Sequence, residues 1–229
     1  MAWCVYTNET PSSPDVGISM NPKKWNRKKW LLFGLAAALV LVLPHALKAD
    51  ATDEIVRLAA LMEWRPGTIV ADIGAGDGSY SFAAAERVGA SGRIFATEID
   101  KKKLKELRAE VKKRNLQNVT VIESAEAETR LPAACCDAIF LRRVYHHLTK
   151  PAEFDANLIR SLKPGGRLAI IDFPPRPDLD PVEGVPANRG GHGIPQKLVI
   201  DELTAAGFQV EKIVADWPGD SYCVLFLRK

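Results

Sequence analysis

The stretch Val70-Ala71-Asp72-Ile73-Gly74-Ala75-Gly76-Asp77-Gly78 decides how this chain is read. It starts as an apolar strand, bounded upstream by Pro66-Gly67, and runs directly into three glycines. Glycines there let the backbone turn tightly and let a ligand approach with no Cβ in the way. A glycine-rich turn is weak evidence alone, so its neighbours carry the argument. The dinucleotide pattern G-x-G-x-x-G needs glycine at its sixth position, which is Ser79 here, while Gly78 falls at the fifth. Asp72 lies two residues before the first glycine, where a carboxylate repels a pyrophosphate but accepts hydrogen bonds from a cationic amino group. Glu98 closes the next apolar run about 20 residues on, where a carboxylate accepts the hydroxyls of a ribose. The ligand so described has one end like an amino acid and one like an adenosine.

Outward from this loop, apolar runs alternate with amphipathic stretches, the pattern of βαβ units on a parallel sheet. Strands are predicted over 68–73, 93–98, 119–123, 137–141 and 167–172, and two more, read as a terminal hairpin, over 208–215 and 222–227. Helices are predicted over 79–88, from a cap at Asp100, over 151–162 and over 195–206. The expected fold is α/β, a doubly wound, seven-stranded, mostly parallel sheet. A Pro- and Gly-rich loop over 173–193 is long enough to be a functional lid or a disordered segment.

The hydrophobic strand, the run Asp72-x-Gly74-x-Gly76-x-Gly78 and the acid at Glu98 together resemble the class I S-adenosylmethionine-dependent methyltransferases. The segments FLRRVYHHL (140–148) and LKPGGRLAIIDF (162–173) resemble that family's fourth and fifth strand regions, and the likeness extends over about residues 52–229. It implies S-adenosyl-L-methionine as cofactor, with Asp72, Gly74, Ala75, Gly76 and Gly78 at its methionine end, Glu98 on the ribose and Ile99 beside the adenine. The family often has Gly-Asp-Ala after the third strand, its Asp meeting the adenine amino group. This chain has Glu123-Ser124-Ala125, which places Ser124 and Ala125 there, with Glu123 or Glu126 as alternative acceptors.

Methyl transfer from a sulfonium is an in-line displacement that demands alignment and exclusion of water more than catalytic side chains. An acceptor hydroxyl or ammonium also requires a base, and histidine suits that task. His146 and His147 follow the fourth strand at the carboxyl edge, and His192 lies in the long loop. Each is a candidate base. Each also has a plain reading: packing, capping a helix, or facing solvent. Arg142 and Arg143 are candidates to meet an acidic substrate or the cofactor carboxylate, or are a surface pair.

Composition, with 47% apolar and 26% charged residues, is that of a globular chain. Much of the net charge of +3 comes from Lys23, Lys24, Arg27, Lys28 and Lys29, so a nucleic-acid-binding face is not expected. Cys4, Cys135, Cys136 and Cys223 lack C-x-x-C spacing, and neither a metal site nor a disulfide framework is expected. The basic cluster precedes WLLFGLAAALVLVL (30–43), an apolar run of about 14 residues, short for a spanning helix of about 20. Residues 1–29 are read as a disordered basic segment, 30–50 as a hydrophobic leader helix serving as signal peptide or membrane anchor, and 51–229 as the Rossmann-like domain. The expected location is membrane-associated or exported, with the cytosolic face as the alternative; oligomeric state is unreadable. The leading function is methyl transfer to a small-molecule or lipid-like acceptor. The rivals are a non-catalytic binding domain of the same fold and a nicotinamide-dependent oxidoreductase, the latter disfavoured by Ser79.

Overall fold

A computed structural model describes residues 51–219 and 221–229. The leader and the segment before it lie outside the described residues. Among the described residues no helix is long and apolar enough to cross a membrane.

The described part opens with helix α1 (Ala51–Leu61), which the sequence pattern does not assign, followed by β1 (Ile69–Ile73) and α2 (Ser79–Val88). Next come β2 (Arg93–Glu98), α3 (Lys101–Lys113), β3 (Val119–Glu123) and β4 (Cys136–Arg142). A single 3-10 turn at Tyr145–His147 leads to α4 (Pro151–Ser161) and β5 (Leu162–Asp172). After the long loop, α5 (Gln196–Ala205), β6 (Phe208–Trp217) and β7 (Ser221–Arg228) complete the order. Asp100 caps α3 as predicted, its Oδ1 accepting the Lys103 N–H at 2.8 Å. Strand β5 starts at Leu162, ahead of the predicted Arg167. The Lys163-Pro-Gly-Gly166 stretch is absorbed by a register shift against β4, between the Cys136–Leu162 and Ala138–Arg167 pairs.

The seven strands lie in the order β3-β2-β1-β4-β5-β7-β6. The first five pair in parallel, and β7 runs antiparallel to both β5 and β6. Side chains alternate between two cores. Val70, Phe140 and Ile171 face the core on the α1–α2 side, while Ala71, Ile139, Leu141 and Ile170 face the other, with Leu158 of α4 and Leu203 of α5. Strands buried on both faces explain the unbroken apolar runs in β4 and β5. The strand order reverses between β1 and β4, and the crevice past the carboxyl ends of such strands is where ligands of this architecture bind. Both the glycine loop and the two histidines leave the sheet there.

Candidate active site

At the end of β1 the backbone takes left-handed angles at Gly74, Gly76 and Gly78, with φ of +71°, +58° and +82°. Gly78 has no room for a side chain: a Cβ there would sit 2.4 Å from Leu107 Cδ1 and 2.5 Å from Phe82 Cζ. At Gly76 the surroundings are open instead, leaving space over the loop. A cleft of about 260 Å³ lies here, lined by Asp72, Gly74, Ala75, Gly76, Asp77, Ser79, Tyr80 and Arg142. A larger groove of about 820 Å³, at the opposite edge beside Gly92 and Asn118, contains none of these residues.

Asp72 is buried, and its Oδ2 accepts from Ser81 Oγ at 2.6 Å. Burial pushes its carboxyl up to about 7, and the neighbouring Glu98 and Asp77 charges push the same way. A ligand ammonium in the cleft would relieve that penalty. Glu98 is aimed by backbone donors: Oε2 accepts Gly76 N–H at 3.0 Å, and Oε1 accepts Ile99 N–H at 2.7 Å and Asp100 N–H at 3.0 Å. A carboxylate has about four lone-pair positions, so about one is left for a ribose hydroxyl. A second hydroxyl requires one of these bonds to be shared. Ile99, 55% exposed immediately after Glu98, offers the bare apolar surface that a purine face would cover. Ser124 donates its N–H to the Glu98 carbonyl at 2.9 Å, and Ala125 opens a tight turn with Glu128. Those two residues thus sit beside the end of β2. Glu126 points elsewhere, accepting from Thr149 and pairing with Lys150.

Sequence reading misses Glu54. This α1 residue is buried, and its carboxylate accepts from Arg142 Nε and Nη2, Tyr80 Oη and Trp217 Nε1, each at 2.9 Å. Burial works to raise the Glu54 carboxyl, but these donors and the Arg142 charge hold it below the usual range. Arg142 also lies 4.4 Å over the Tyr80 ring. It is therefore no surface pair with Arg143, and it stands fixed in the wall of the glycine-loop cleft.

The three histidines come together. His146 and His147 have ring centroids 4.0 Å apart, and His192 lies 5.5 Å from the first and 6.3 Å from the second. They line a cavity of about 570 Å³ with Arg143, Phe173, Arg176, Leu179 and Gly219. His146 is buried and its Nδ1 lies 2.8 Å from Oδ1 of Asp172, the last residue of β5. Asp172 is itself fixed by the N–H groups of His146 and Phe173. His147 faces the solvent side, its imidazole lowered to about 4 by desolvation and the adjacent His146. His192 Nδ1 meets the Asp180 carbonyl at 2.9 Å. The 173–193 loop is folded back on itself rather than open, by Ile194 N–H to Phe173 O, Arg176 N–H to His192 O and Val182 N–H to Gly191 O. Buried Arg189 ties it to Glu202 and to the Tyr145 carbonyl. Sequence does not mark Asp172, since a strand-end acid after an apolar run has no local signature of its partner.

A glycine loop at the switch point, a buried acid before it and an aimed acid on the neighbouring strand define a Rossmann-like cofactor-binding domain. Residues 71–170 match a family model described as a methyltransferase domain. Nocamycin O-methyltransferase of Saccharothrix syringae is 31% identical over 54% of this chain and 44% of its own length. A ubiquinone/menaquinone biosynthesis C-methyltransferase of Vibrio campbellii is 27% identical over 65% of this chain and 58% of its own. The chain thus spans about half the length of the curated relatives it matches. A crystal structure of an S-adenosylmethionine-dependent methyltransferase from Aquifex aeolicus superposes with a TM-score of 0.65 at 27% identity, covering 76% of this chain and 89% of that one. Over residues 71–170 the chain carries the sequence pattern of a methyltransferase domain, and its fold is that of the S-adenosylmethionine-dependent methyltransferase it resembles. The cofactor of that family is S-adenosyl-L-methionine, and the cleft residues fit it: an acid for the ammonium, an aimed acid for the ribose, and open space above Gly76.

Proposed function

We propose that this protein is an enzyme that transfers a methyl group from S-adenosyl-L-methionine to a small-molecule or lipid-like acceptor. The observation that carries the reading is Glu98, held by the Gly76, Ile99 and Asp100 amides so that ribose and glycine loop are served by one carboxylate. The cofactor supplies a methyl group on a sulfonium centre. The protein's own part is placement: Asp72 takes the ammonium, Glu98 the ribose, Ile99 the adenine face, with Ser124 and Ala125 at its edge. The Arg142 guanidinium stands in the same cleft. The acceptor belongs in the histidine cavity, because Val144 packs against Gly74 on one side and leads into His146 on the other.

Relatives named for ubiquinone/menaquinone biosynthesis C-methylation and for demethylmenaquinone methylation support an acceptor carrying a ring. The basic and apolar leader over 23–43 supports a reaction held at a membrane, where a lipid-like acceptor would be met. Calorimetry with S-adenosylmethionine and S-adenosylhomocysteine on the full chain tests the reading, and no binding at millimolar ligand would refute it. Asp72→Ala and Glu98→Ala each remove a charge-assisted bond of about 1.5–3 kcal/mol, or roughly 10- to 100-fold in affinity. Unchanged affinity in both variants would show that the ligand lies elsewhere.

A further inference from the structure

We propose that His146, oriented by Asp172, is the base that deprotonates an acidic ring hydroxyl on an acceptor held in the cavity of Phe173, His147 and His192. This rests on the methyltransferase reading and goes beyond it by assigning the proton and the acceptor's chemistry.

The three imidazoles are not equivalent. His146 alone has a carboxylate behind it, Asp172 at 2.8 Å on Nδ1. That contact keeps the Nδ1 proton in place and leaves Nε2 as the nitrogen carrying the lone pair, and it stabilises the cation that forms when Nε2 takes a proton. Asp172 is buried and held by two backbone N–H groups as well, so the dyad is fixed before any acceptor arrives. His192 has only the Asp180 carbonyl on its Nδ1, which orients the ring without offsetting a positive charge. His147 is held near 4 and is a poor base at neutral pH, though its ring remains a neutral wall.

The walls describe the acceptor. Phe173 and His192 lie stacked, 6.0 Å apart at 29°, and the His146 ring meets Phe173 edge-on at 4.8 Å. Such faces suit a flat ring. Arg143 and Arg176 both approach the Phe173 ring, at 5.6 and 5.5 Å, and Arg143 Nη2 is fixed by the Gly219 carbonyl at 2.9 Å. Positive groups in the wall favour the oxyanion that deprotonation creates. The flat walls select a ring, and of its hydroxyls one of phenolic or enolic acidity lies closest to imidazole in proton affinity and gives up its proton to such a base most readily. In the step, Nε2 of His146 takes the hydroxyl proton as an oxygen electron pair forms the O–CH3 bond. The S–CH3 bond breaks with its pair passing to sulfur, and the imidazolium then returns its proton to water.

The test uses the full-length protein, S-adenosylmethionine labelled in its methyl group, and substituted phenols spanning a range of acidity, with 4-nitrophenol as the one most ionised at assay pH. Wild type should methylate them at oxygen. His146→Gln and Asp172→Asn should keep cofactor affinity and lower transfer to weakly acidic phenols by roughly 100- to 10,000-fold. Transfer to 4-nitrophenolate, which needs no base, should fall less than tenfold. Asp172→Asn preserves volume and so separates loss of the base from loss of packing, with the melting temperature of each variant measured alongside. An equal loss for all phenols would overturn the base assignment. Cofactor binding with no transfer to any phenol would overturn the acceptor class. Stoichiometric zinc retained by wild type and lost in His146→Gln would overturn both by making the imidazoles ligands. Absence of cofactor binding would instead refute the methyltransferase reading itself.

Discussion

Asp72 shows how one buried carboxyl couples ligand and proton. Burial pushes its carboxyl up to about 7 in the free protein, so protonated Asp72 is present near neutral pH, and an arriving ammonium lowers that value. Binding near pH 7 should therefore release protons. Calorimetry in two buffers of different ionisation enthalpy reads this release directly, and Asp72→Asn should abolish it. The stability consequence has a definite sign. The folded value is raised above 3.8, so the contribution of Asp72 is fully present below that pH and is lost as pH rises through about 7. Denaturation of the free protein between pH 4 and 8 should show this decline, and a flat profile would mean that Asp72 is hydrated. Asp72 and Glu98 are legible in the sequence because both are tied to the glycine loop by fixed spacing. Asp172 is not, because its partner His146 is 26 residues away and only the β4–β5 pairing brings them together.

Elements recovered from sequence are those with a period or a punctuating residue: β1 before its glycines, α2 up to Gly89, α3 from its Asp100 cap. Helix α1 comes directly after the leader run and is not assigned from sequence, where no motif singles out Glu54. The fold turns that side chain inward, under Arg142, Tyr80 and Trp217. Glu54→Ala leaves the Arg142 guanidinium, only 24% exposed, without its counter-charge. Breaking a buried pair from one side costs about 3–5 kcal/mol. Urea denaturation should show a loss of that size, and a loss below about 1 kcal/mol would place the pair in effectively aqueous surroundings. Because Arg142 and Tyr80 line the glycine-loop cleft proposed to take the cofactor, the same variant should also weaken S-adenosylmethionine binding.

At the scale of the whole molecule, the switch point between β1 and β4 gathers residues from α1, β1, β2, β4, β5 and the long loop onto one edge of the sheet. Sequence predicts the sheet and that edge, since the alternation of runs dictates both. It cannot predict which face the histidines share, because loop 173–193 returns His192 to His146 through contacts that have no period. The leader sets a separate question about the whole chain. Basic residues stay on the cytosolic side, so Lys23 to Lys29 predict that the domain beyond the apolar run lies across the membrane. A reporter fused after residue 60 should then be active outside the cytosol, and cytosolic activity would assign the domain to the inner face, where the cofactor is made.

Strand β7 is synthesised after β6 yet is inserted between β6 and β5. A nascent chain that has emerged only as far as Trp217 therefore holds two unmatched strand edges and lacks the Gly219 carbonyl that fixes Arg143. The β5 and β6 edges of the sheet can close only once β7 is in place, so pairing on this side joins segments that contact order makes slow to meet.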